Sequence, residues 1–354
     1  MVYRTGCTCN KDAQTAGAIG LGSGQIVLDF GLYTKRVYTK LVPPALIGCA
    51  QRPKLGSVLT PIGFHHTNGR ILLNFHPKPD FTPLMTSTPP ILYPRLLLTG
   101  AAGALGRVLR PRLKAHCQTL RVSDISELGA AKTGEEVMPV ALQDAQAVDK
   151  LLEGVDGVVH LGGVSIERPF DEILPANIVG MYNLYEAARK NGTRRIVFAS
   201  SNHVTGFYKQ SETVSPTMPV RPDGYYGLSK AFGENIARFY FDRYGIETVC
   251  LRIGSSYPEP KDRRMLATWL SYDDLERLVL SSLSSPVVGF SVIYGMSDNP
   301  LVWWDNASAK HLGYQPQDTS AVFKNAIESR QLSLDLNDPA VIYQGGGFVK
   351  NAPI

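Results

Sequence analysis

Length, composition and charge restrict the classes of protein to which this chain can belong. Its 354 residues suffice for one or two domains with a core, and 44% hydrophobic with 19% charged residues is an ordinary globular composition. No apolar stretch approaches the roughly 18–20 residues needed to cross a bilayer, so we expect no membrane partner. The net charge of +5 does not indicate a nucleic-acid partner, because residues 1–84 hold nine Lys and Arg against three Asp and the remainder is nearly neutral.

The cysteine count favours a reducing, cytoplasmic location. The chain has five cysteines, an odd number, and no pair has the CxxC spacing of zinc or redox sites. We therefore expect free thiols and no bound metal.

The first 90 residues predict an irregular leader. Apolar, Gly, Pro and Thr residues mix there without a sustained period, and Gly and Pro interrupt the apolar runs. Gln25–Phe30 has the composition of a short strand, but no neighbouring segment suggests a partner for it. Three explanations are open: a disordered leader, a targeting segment, or an extension upstream of the true start at Met85. We favour the last.

From residue 91 onward, strand-like and helix-like segments alternate at the distances of βαβ units. The strand-like runs are continuously apolar, which predicts burial on both faces and hence a parallel sheet. We expect an α/β, doubly wound, Rossmann-type domain over 91–354, with 255–354 contributing most of a small C-terminal substrate-binding portion. The predicted strands are 95–99, 120–124, 155–163, 194–201 and 246–254, and the predicted helices are 105–116, 147–154, 177–192 and 225–245.

A glycine-rich turn follows the first of these strands and predicts an NAD site. Residues 99–106 read TGAAGALG, a GxxGxxG spacing that permits a tight turn and lets backbone N–H groups approach a pyrophosphate at a helix N-terminus. Asp124 ends the second strand, where a carboxylate can accept both hydroxyls of a ribose. Ile125 and Ser126 follow, so no adjacent cation would favour the phosphate of NADP.

A YxxxK motif at the start of the last predicted helix indicates a catalytic pair. Tyr226 and Lys230 share one helical face, and a strand ending in Ser200 and Ser201 precedes them. A free tyrosine is a poor base at neutral pH, since its pKa is about 10. We expect the Lys230 ammonium and a positive nicotinamide ring together to lower the pKa of Tyr226 and favour its phenolate.

Residues 95–354 resemble the short-chain dehydrogenase/reductase superfamily, in its extended, epimerase-like branch, and more narrowly the bacterial uronate dehydrogenases. The resemblance rests on LLLTGAAGALGR, HLGGVSIERPF, NIVGMYNLYEAAR, IVFASSNH, RPDGYYGLSK, RIGSSYPEP, RMLATWLSYDD and WWDN. It implies NAD-dependent oxidation at C1 of a uronic acid, D-glucuronate or D-galacturonate, to the aldarolactone. It also implies a homo-oligomer.

The resemblance implies a role for each matching position. Tyr226 would be the base, Lys230 its activator and Ser201 the catalytic hydroxyl, while Asn177 would support the site. The implied substrate contacts are Ser165, Ser201, Asn202, His203, Tyr226, Ser255 and Arg264, with Arg264 suited to a carboxylate. The implied cofactor contacts are Gly100, Gly103, Ala104, Leu105, Gly106, Asp124, Leu142, Leu161, Gly162, Gly163, Lys230 and Ile253.

Two departures from the family pattern affect the expected cofactor affinity. Ala141 stands where relatives usually carry an Asp that reaches the adenine, and Asp144 lies three residues further on. One lost hydrogen bond would weaken NAD binding by about 1 kcal/mol. Ala104 replaces a polar residue that some relatives have in the turn.

Two other functions remain open on the same fold. One is a nucleotide-sugar epimerase or dehydratase, although Ser201 is followed by Asn-His-Val rather than by the acidic pair of dehydratases. The other is a non-catalytic NAD-binding regulatory protein, although such proteins commonly lose the Tyr or the Lys that this chain keeps.

Overall fold

The computed structural model describes residues 90–330 and 333–351, together with three short strands nearer the N-terminus. The chain divides into two compact units, residues 1–85 and 86–354. Strands β1 (Val27–Leu28), β2 (His66–Thr67) and β3 (Arg70–Leu72) form an antiparallel sheet of order β1-β3-β2 in the first unit. The strand predicted at Gln25–Phe30 therefore has a partner that the sequence analysis did not identify. The rest of the predicted leader lies outside the described residues.

The second unit is built on a seven-stranded parallel sheet, as the sequence predicted. Its strand order is β12-β9-β8-β7-β4-β5-β6, and every pairing is parallel. The chain runs from β4 outward through β5 and β6, and then returns to β7 on the other side of β4. The carboxyl ends of β4 and β7 therefore flank the switch point where such sheets bind ligands. The strands are β4 (Tyr93–Thr99), β5 (Cys117–Ser123), β6 (Glu135–Val137), β7 (Gly157–His160), β8 (Arg195–Ser201), β9 (Glu247–Ile253) and β12 (Phe290–Gly295), with a separate parallel pair β10 (Ser255–Ser256) and β11 (Trp269–Leu270).

Helices cover both faces of this sheet. Successive side chains of a strand point to opposite faces, so Leu96 and Leu98 enter one core cluster and Leu97 enters the other. The first cluster includes α1 and α7, and the second includes α2, α4 and α5. The helices are α1 (Ala104–Lys114), α2 (Ala145–Leu152), α3 (Phe170–Ile173), α4 (Gly180–Asn191), α5 (Tyr225–Tyr244), α6 (Met265–Thr268), α7 (Tyr272–Ser284), α8 (Lys324–Arg330) and α9 (Pro339–Ile342).

Short helical turns of other types bring several polar side chains to the carboxyl edge of the sheet. A π-helical segment, Leu174–Val179, precedes α4, and a 3-10 helix, Asn202–Thr205, follows β8 directly. Near the C-terminus another 3-10 helix spans Gly346–Lys350. Within the described residues, two more 3-10 helices are Ala307–Leu312 and Ser320–Phe323.

Among the residues described, no helix is both long and apolar enough to cross a membrane. Cys117 and Cys250 are buried free thiols, whereas Cys7, Cys9 and Cys49 lie outside the described residues.

Candidate active site

The glycine-rich turn forms a cradle of bare backbone between β4 and α1. Gly100 has a φ of 68°, a conformation that residues with a side chain rarely adopt. A Cβ atom on Gly100 would lie 2.6 Å from the Leu161 carbonyl carbon, and one on Gly106 would lie 2.1 Å from the Gly100 oxygen. Gly103 precedes α1 as its N-cap and offers no side-chain cap. The first N–H groups of α1, from Ala104 to Gly106, therefore point outward, as an anion such as pyrophosphate requires.

Asp124 lies directly after β5, where the sequence analysis placed it. Its Oδ2 atom accepts a hydrogen bond of 3.0 Å from the Ala102 N–H, and its Oδ1 atom accepts one of 2.9 Å from the Ser126 N–H. The carboxylate is thus fixed to the glycine-rich turn and keeps lone pairs for a ribose. Ile125 is 79% exposed beside it. The cradle and Asp124 fit a nicotinamide dinucleotide that lacks a phosphate on its ribose.

The turn after β7 forms the second wall of the crevice. Leu161 donates its N–H to the Thr99 carbonyl (3.2 Å), and Gly162 donates its N–H to the Thr99 hydroxyl (3.2 Å). Gly163 has a φ of 128° and passes so close to Asn177 that a Cβ atom would lie 2.5 Å from its Oδ1. Leu142 is 8% exposed and packs beneath this turn, where its Cδ1 atom would lie 3.0 Å from a Cβ on Gly162.

Asp144 has another task than replacing the missing aspartate at position 141. Its Oδ1 atom caps α2 by accepting hydrogen bonds from the N–H groups of Gln146 (3.1 Å) and Ala147 (3.0 Å). Ala141 is partly buried and brings no polar group to the crevice. Neither residue supplies the hydrogen bond to the adenine, so weaker binding of NAD remains a prediction.

The catalytic triad predicted from the sequence is brought together at the ends of β8 and α5. Ser201, Tyr226 and Lys230 are 4%, 8% and 6% exposed. The Ser201 side chain acts as a hydrogen-bond partner in lowering the pKa of Tyr226, and the Lys230 Nζ atom lies 5.7 Å from the centroid of the tyrosine ring. Lys230 also donates to the Ala199 carbonyl oxygen at 2.8 Å, which fixes the ammonium against β8.

The pKa of Tyr226 differs from the one that the sequence predicts. Burial raises the pKa of Tyr226 to about 12, although the hydrogen bond from Ser201 acts in the opposite direction. Burial also lowers the pKa of Lys230 to about 8. Lys230 is not among the causes that lower the pKa of the phenol, and the Asp223 carboxylate raises that pKa further. The expected lowering depends on the second positive charge, that of a nicotinamide ring.

Glu167 is a functional residue that sequence reasoning missed. Its Oε1 and Oε2 atoms accept hydrogen bonds from the N–H groups of Tyr225 (2.8 Å) and Tyr226 (2.9 Å) at the start of α5. The N-cap of α5 is Gly224, which offers no side-chain cap, so Glu167 supplies the cap from 57 positions earlier in the chain. In the sequence, the only indication of this role is the presence of the acidic residue itself within the segment HLGGVSIERPF.

Asn177, for which the resemblance implies a supporting role, joins the same loop to α5. Its Oδ1 atom accepts from the Val164 N–H (2.7 Å), and its Nδ2 atom donates to the Val164 carbonyl and to the Ser229 hydroxyl (both 2.9 Å). It lies inside the π-helical segment and is not a helix N-cap. Ser165, the implied substrate contact on this loop, is exposed.

Arg264 is fixed by three contacts at the opposite side of the site. Its Nε atom donates to the Gln344 carbonyl (2.6 Å), and its Nη1 atom donates to the Ser255 hydroxyl (3.2 Å). With its amide oriented to satisfy both neighbours, Asn202 accepts from Arg264 Nη2 (2.7 Å) and donates to the Ile253 carbonyl (3.1 Å). These contacts join four of the residues for which the resemblance implies a ligand contact: Asn202, Ile253, Ser255 and Arg264. The N–H groups of the guanidinium that are not used in them remain for a carboxylate.

His203 lies between the phenol and the C-terminal segment. Its ring packs edge-on against Tyr226, with centroids 5.9 Å apart, and stacks on Phe348 at 3.8 Å. Its Nδ1 atom is 2.7 Å from Oδ2 of Asp223, which is buried. Neither Asp223 nor Phe348 was among the residues that the sequence analysis singled out. Both reach the site through tertiary contacts that the spacing of residues does not reveal.

A buried ion pair supports the strand ends beneath the site. Arg252 contacts Glu234 through two hydrogen bonds of 2.8 and 2.9 Å, and Glu234 accepts a third, of 2.6 Å, from the Ser200 hydroxyl. Arg252 also donates to the Tyr294 hydroxyl at 3.0 Å. This network fixes the residue directly before Ser201.

Comparison with known proteins identifies the family of the chain. The model of the NAD-dependent epimerase/dehydratase family matches residues 96–280. The uronate dehydrogenase of Pseudomonas syringae pv. tomato is 56% identical over 269 residues, which cover 76% of this chain and 96% of that protein. The crystal structure of uronate dehydrogenase from Agrobacterium tumefaciens is 50% identical, has a TM-score of 0.73, and covers 74% of this chain and 99% of its own. A variant of that enzyme with one tyrosine replaced by alanine, complexed with NAD, has the same identity and coverage and a TM-score of 0.72.

Proposed function

Because the chain belongs to the NAD-dependent epimerase/dehydratase family and, within it, to the uronate dehydrogenases, we propose that it oxidises a uronic acid at C1 with NAD. The substrate would be the cyclic form of D-glucuronate or D-galacturonate, and the product the aldarolactone.

One observation carries this proposal: the three consecutive residues 201–203 connect a base to a carboxylate-binding cation. Ser201 acts to lower the pKa of Tyr226, Asn202 accepts from Arg264, and the ring of His203 packs against Tyr226. A sugar acid carries a reacting hydroxyl at one end and a carboxylate at the other. A rigid segment that holds the partners of both groups suits such a substrate.

The residues of the chain perform the proton chemistry. Tyr226 removes the proton of the anomeric hydroxyl, while Ser201 donates a hydrogen bond to the same oxygen. Arg264 binds the carboxylate through its planar fork and so fixes C1 relative to the phenol. When bound in the cradle of Gly100 and Gly106, NAD supplies the acceptor for the hydride and a positive charge near Tyr226.

The formation of NADH tests the proposal directly. Purified chain with NAD is given D-glucuronate, D-galacturonate, D-glucose or a UDP-sugar, and absorbance at the NADH band is followed. We expect turnover of at least one uronate and little with D-glucose, which lacks the carboxylate that Arg264 would bind. Conversion of the UDP-sugar without net formation of NADH, followed by chromatography of the nucleotide sugar, would instead favour an epimerase or dehydratase, because those enzymes return the hydride to their substrate. NAD binding without turnover of any sugar would favour a regulatory protein.

We propose that residues 91–354 form the dehydrogenase domain and that residues 1–90 are not needed for catalysis. The residues of the candidate site all lie between 99 and 348, within the unit that spans 86–354. A chain that begins at Met85 should therefore retain kcat and KM for the uronate. A loss of folded protein or of activity would assign the leader a role.

We further propose that the chain forms homo-oligomers in the cytoplasm, with small molecules as its other ligands. The exposed apolar side chains on α4 and α5 include Tyr182 (52% exposed), Leu228 (48%), Phe239 (54%) and Tyr244 (48%), a concentration that favours association. The two buried free thiols are consistent with a reducing compartment. Light scattering after size-exclusion chromatography measures the mass, and a monomer would refute the first part.

A further inference from the structure

Asp223 is a buried carboxylate for which the reaction scheme above has no use. It lies two residues before α5, is 4% exposed, and places Oδ2 2.7 Å from the Nδ1 atom of His203. Its Oδ1 atom is buried and has no hydrogen-bond partner within residues 90–330 and 333–351. Burying a carboxylate with one oxygen unsatisfied is unfavourable for stability. A carboxylate in such an unfavourable position points to a role in the site.

Three glycines make room for this carboxylate. A Cβ atom on Gly206 would lie 1.9 Å from Oδ2, one on Gly345 would lie 2.0 Å from the same oxygen, and one on Gly227 would lie 3.1 Å from Oδ1. These glycines come from three separate segments of the chain: the turn after β8, the helix α5 and the C-terminal segment. Any side chain at Gly206 or Gly345 would displace Asp223 from His203.

The contact with Asp223 determines which nitrogen of His203 carries the proton. A carboxylate accepts hydrogen bonds and does not donate them, so the proton of the ring is held on Nδ1. In a neutral ring the other nitrogen, Nε2, is then an acceptor. Within the described part of the chain Nε2 has no hydrogen-bond partner, while the ring stacks on Phe348 and packs against Tyr226. The acceptor is thus available beside the catalytic phenol.

The charged groups around His203 favour its neutral form. Burial lowers the pKa of the ring, and so does the positive charge of Arg264 at the start of α6. Asp223 and Glu167, from the segment before α5 and the loop after β7, act in the opposite direction and do not outweigh burial. Tyr226 is uncharged at neutral pH, because its pKa is about 12. At neutral pH the ring therefore presents Nε2 as an acceptor.

We infer that Asp223 is a positioning residue that holds the proton of His203 on Nδ1, so that Nε2 accepts a hydrogen bond from a hydroxyl group of the sugar acid. This inference rests on the proposed oxidation of uronates and extends it from the carboxylate to the hydroxyl groups of the substrate. A neutral acceptor at this point accepts a hydrogen bond from a hydroxyl group, whereas a ring with its proton on Nε2 would have to donate to the hydroxyl oxygen and would need a different orientation of that group. Asp223 thereby contributes to the affinity for the sugar.

The tautomer is tested by nitrogen NMR of the full chain labelled in its histidines, in the wild type and in Asp223→Asn. We expect the wild-type His203 ring to be protonated on Nδ1. In Asp223→Asn the amide can donate to Nδ1, so a signal of the ring protonated on Nε2 should appear. A wild-type ring that already carries its proton on Nε2, or a spectrum unchanged by the substitution, would overturn the inference. This readout needs no turnover and so does not depend on the proposed function.

Kinetics test the consequence for the substrate. Asp223→Asn should raise KM for the uronate about tenfold, the equivalent of one hydrogen bond, with kcat less affected and the Kd for NAD unchanged. The carboxylate raises the pKa of His203, so its removal lowers that pKa and moves the acidic limb of kcat/KM to lower pH. An unchanged KM and pH profile in an active enzyme would contradict the inference. If the wild type itself formed no NADH from uronates, the proposed function would fail instead.

Two further variants separate positioning from folding. Asp242→Asn is the matched control, since Asp242 lies on α5, is exposed, and has Arg238 on the same helix as its one side-chain partner among the described residues. It should leave KM and the pH profile unchanged. In a His203→Gln background, Asp223→Asn should cause no further rise in KM, because the ring through which it acts is gone. An additional rise of similar size there would assign Asp223 a structural role only.

Discussion

The two halves of the candidate site, one proposed for the nucleotide and one for the sugar, are built on opposite principles. The nucleotide half, the turn of residues 99–106 with Asp124, comes from one contiguous βαβ stretch and presents backbone N–H groups in a space kept open by glycines. The sugar half takes side chains from segments as far apart as Glu167 and Phe348. A cofactor shared by many enzymes can therefore be bound by local backbone geometry. A particular sugar needs side chains that only the folded chain brings together.

Removing the phenol should have the largest effect and separates the two halves most sharply. In Tyr226→Phe the base is lost, so we expect kcat for the uronate to fall by about 10²–10⁴-fold. The Kd for NAD, measured by calorimetry, should stay within about twofold, since the nucleotide half is untouched. Unchanged formation of NADH would show that Tyr226 is not the base.

The next effect is expected at the carboxylate-binding cation. Arg264→Ala removes hydrogen bonds to a charged group, each contributing about 1.5–3 kcal/mol, so KM for the uronate should rise roughly 10- to 150-fold. The Kd for NAD should not follow. Arg238→Ala, an exposed arginine paired with Asp242, is the control and should leave both constants unchanged. If Arg264→Ala weakened the binding of NAD as much as that of the uronate, the two halves would not bind their ligands independently.

A methyl group in the cradle should weaken the binding of NAD, which the two previous substitutions leave unchanged. In Gly106→Ala the new Cβ would lie 2.1 Å from the Gly100 oxygen and 2.7 Å from the Cα of Ala101, both backbone atoms that cannot rotate away. The turn must shift, and we expect NAD to bind at least about tenfold more weakly, a change of about 1.4 kcal/mol. Gly347→Ala is the matched control for NAD binding, because a Cβ there meets no atom within 4 Å. Normal NAD affinity in Gly106→Ala would refute the close approach.

The smallest effect is a gain. Ala141→Asp introduces the aspartate that the resemblance implied at this position, while Asp144 remains engaged in capping α2. One hydrogen bond to the adenine would tighten NAD binding by about 1 kcal/mol, roughly fivefold. Fluorescence quenching by NAD measures the affinity. If Ala141→Asp binds NAD no better than the wild type, the adenine does not lie beside this position.

The sequence predicted the frame of the molecule well because its signals are local. The predicted strand 95–99 and helix 225–245 correspond to Tyr93–Thr99 and Tyr225–Tyr244, since continuous apolar runs and a terminal glycine are read from neighbouring residues. The sheet partner of Val27–Leu28 lies more than 40 positions later and was missed. The pKa of Tyr226 could not be predicted either, because burial, which dominates it, is a property of the packed chain.

By itself, the sequence determined the parallel sheet, the glycine turn with Asp124, and the pair Tyr226 and Lys230, because each depends on residues within a few turns of one another. The tertiary structure alone decided that Glu167 caps α5, that Asp223 meets His203, and that Phe348 stacks on its ring. The physical reason is that hydrogen bonds and ring contacts act only over a few ångströms. Which distant side chains come that close is set by the packing of the whole domain.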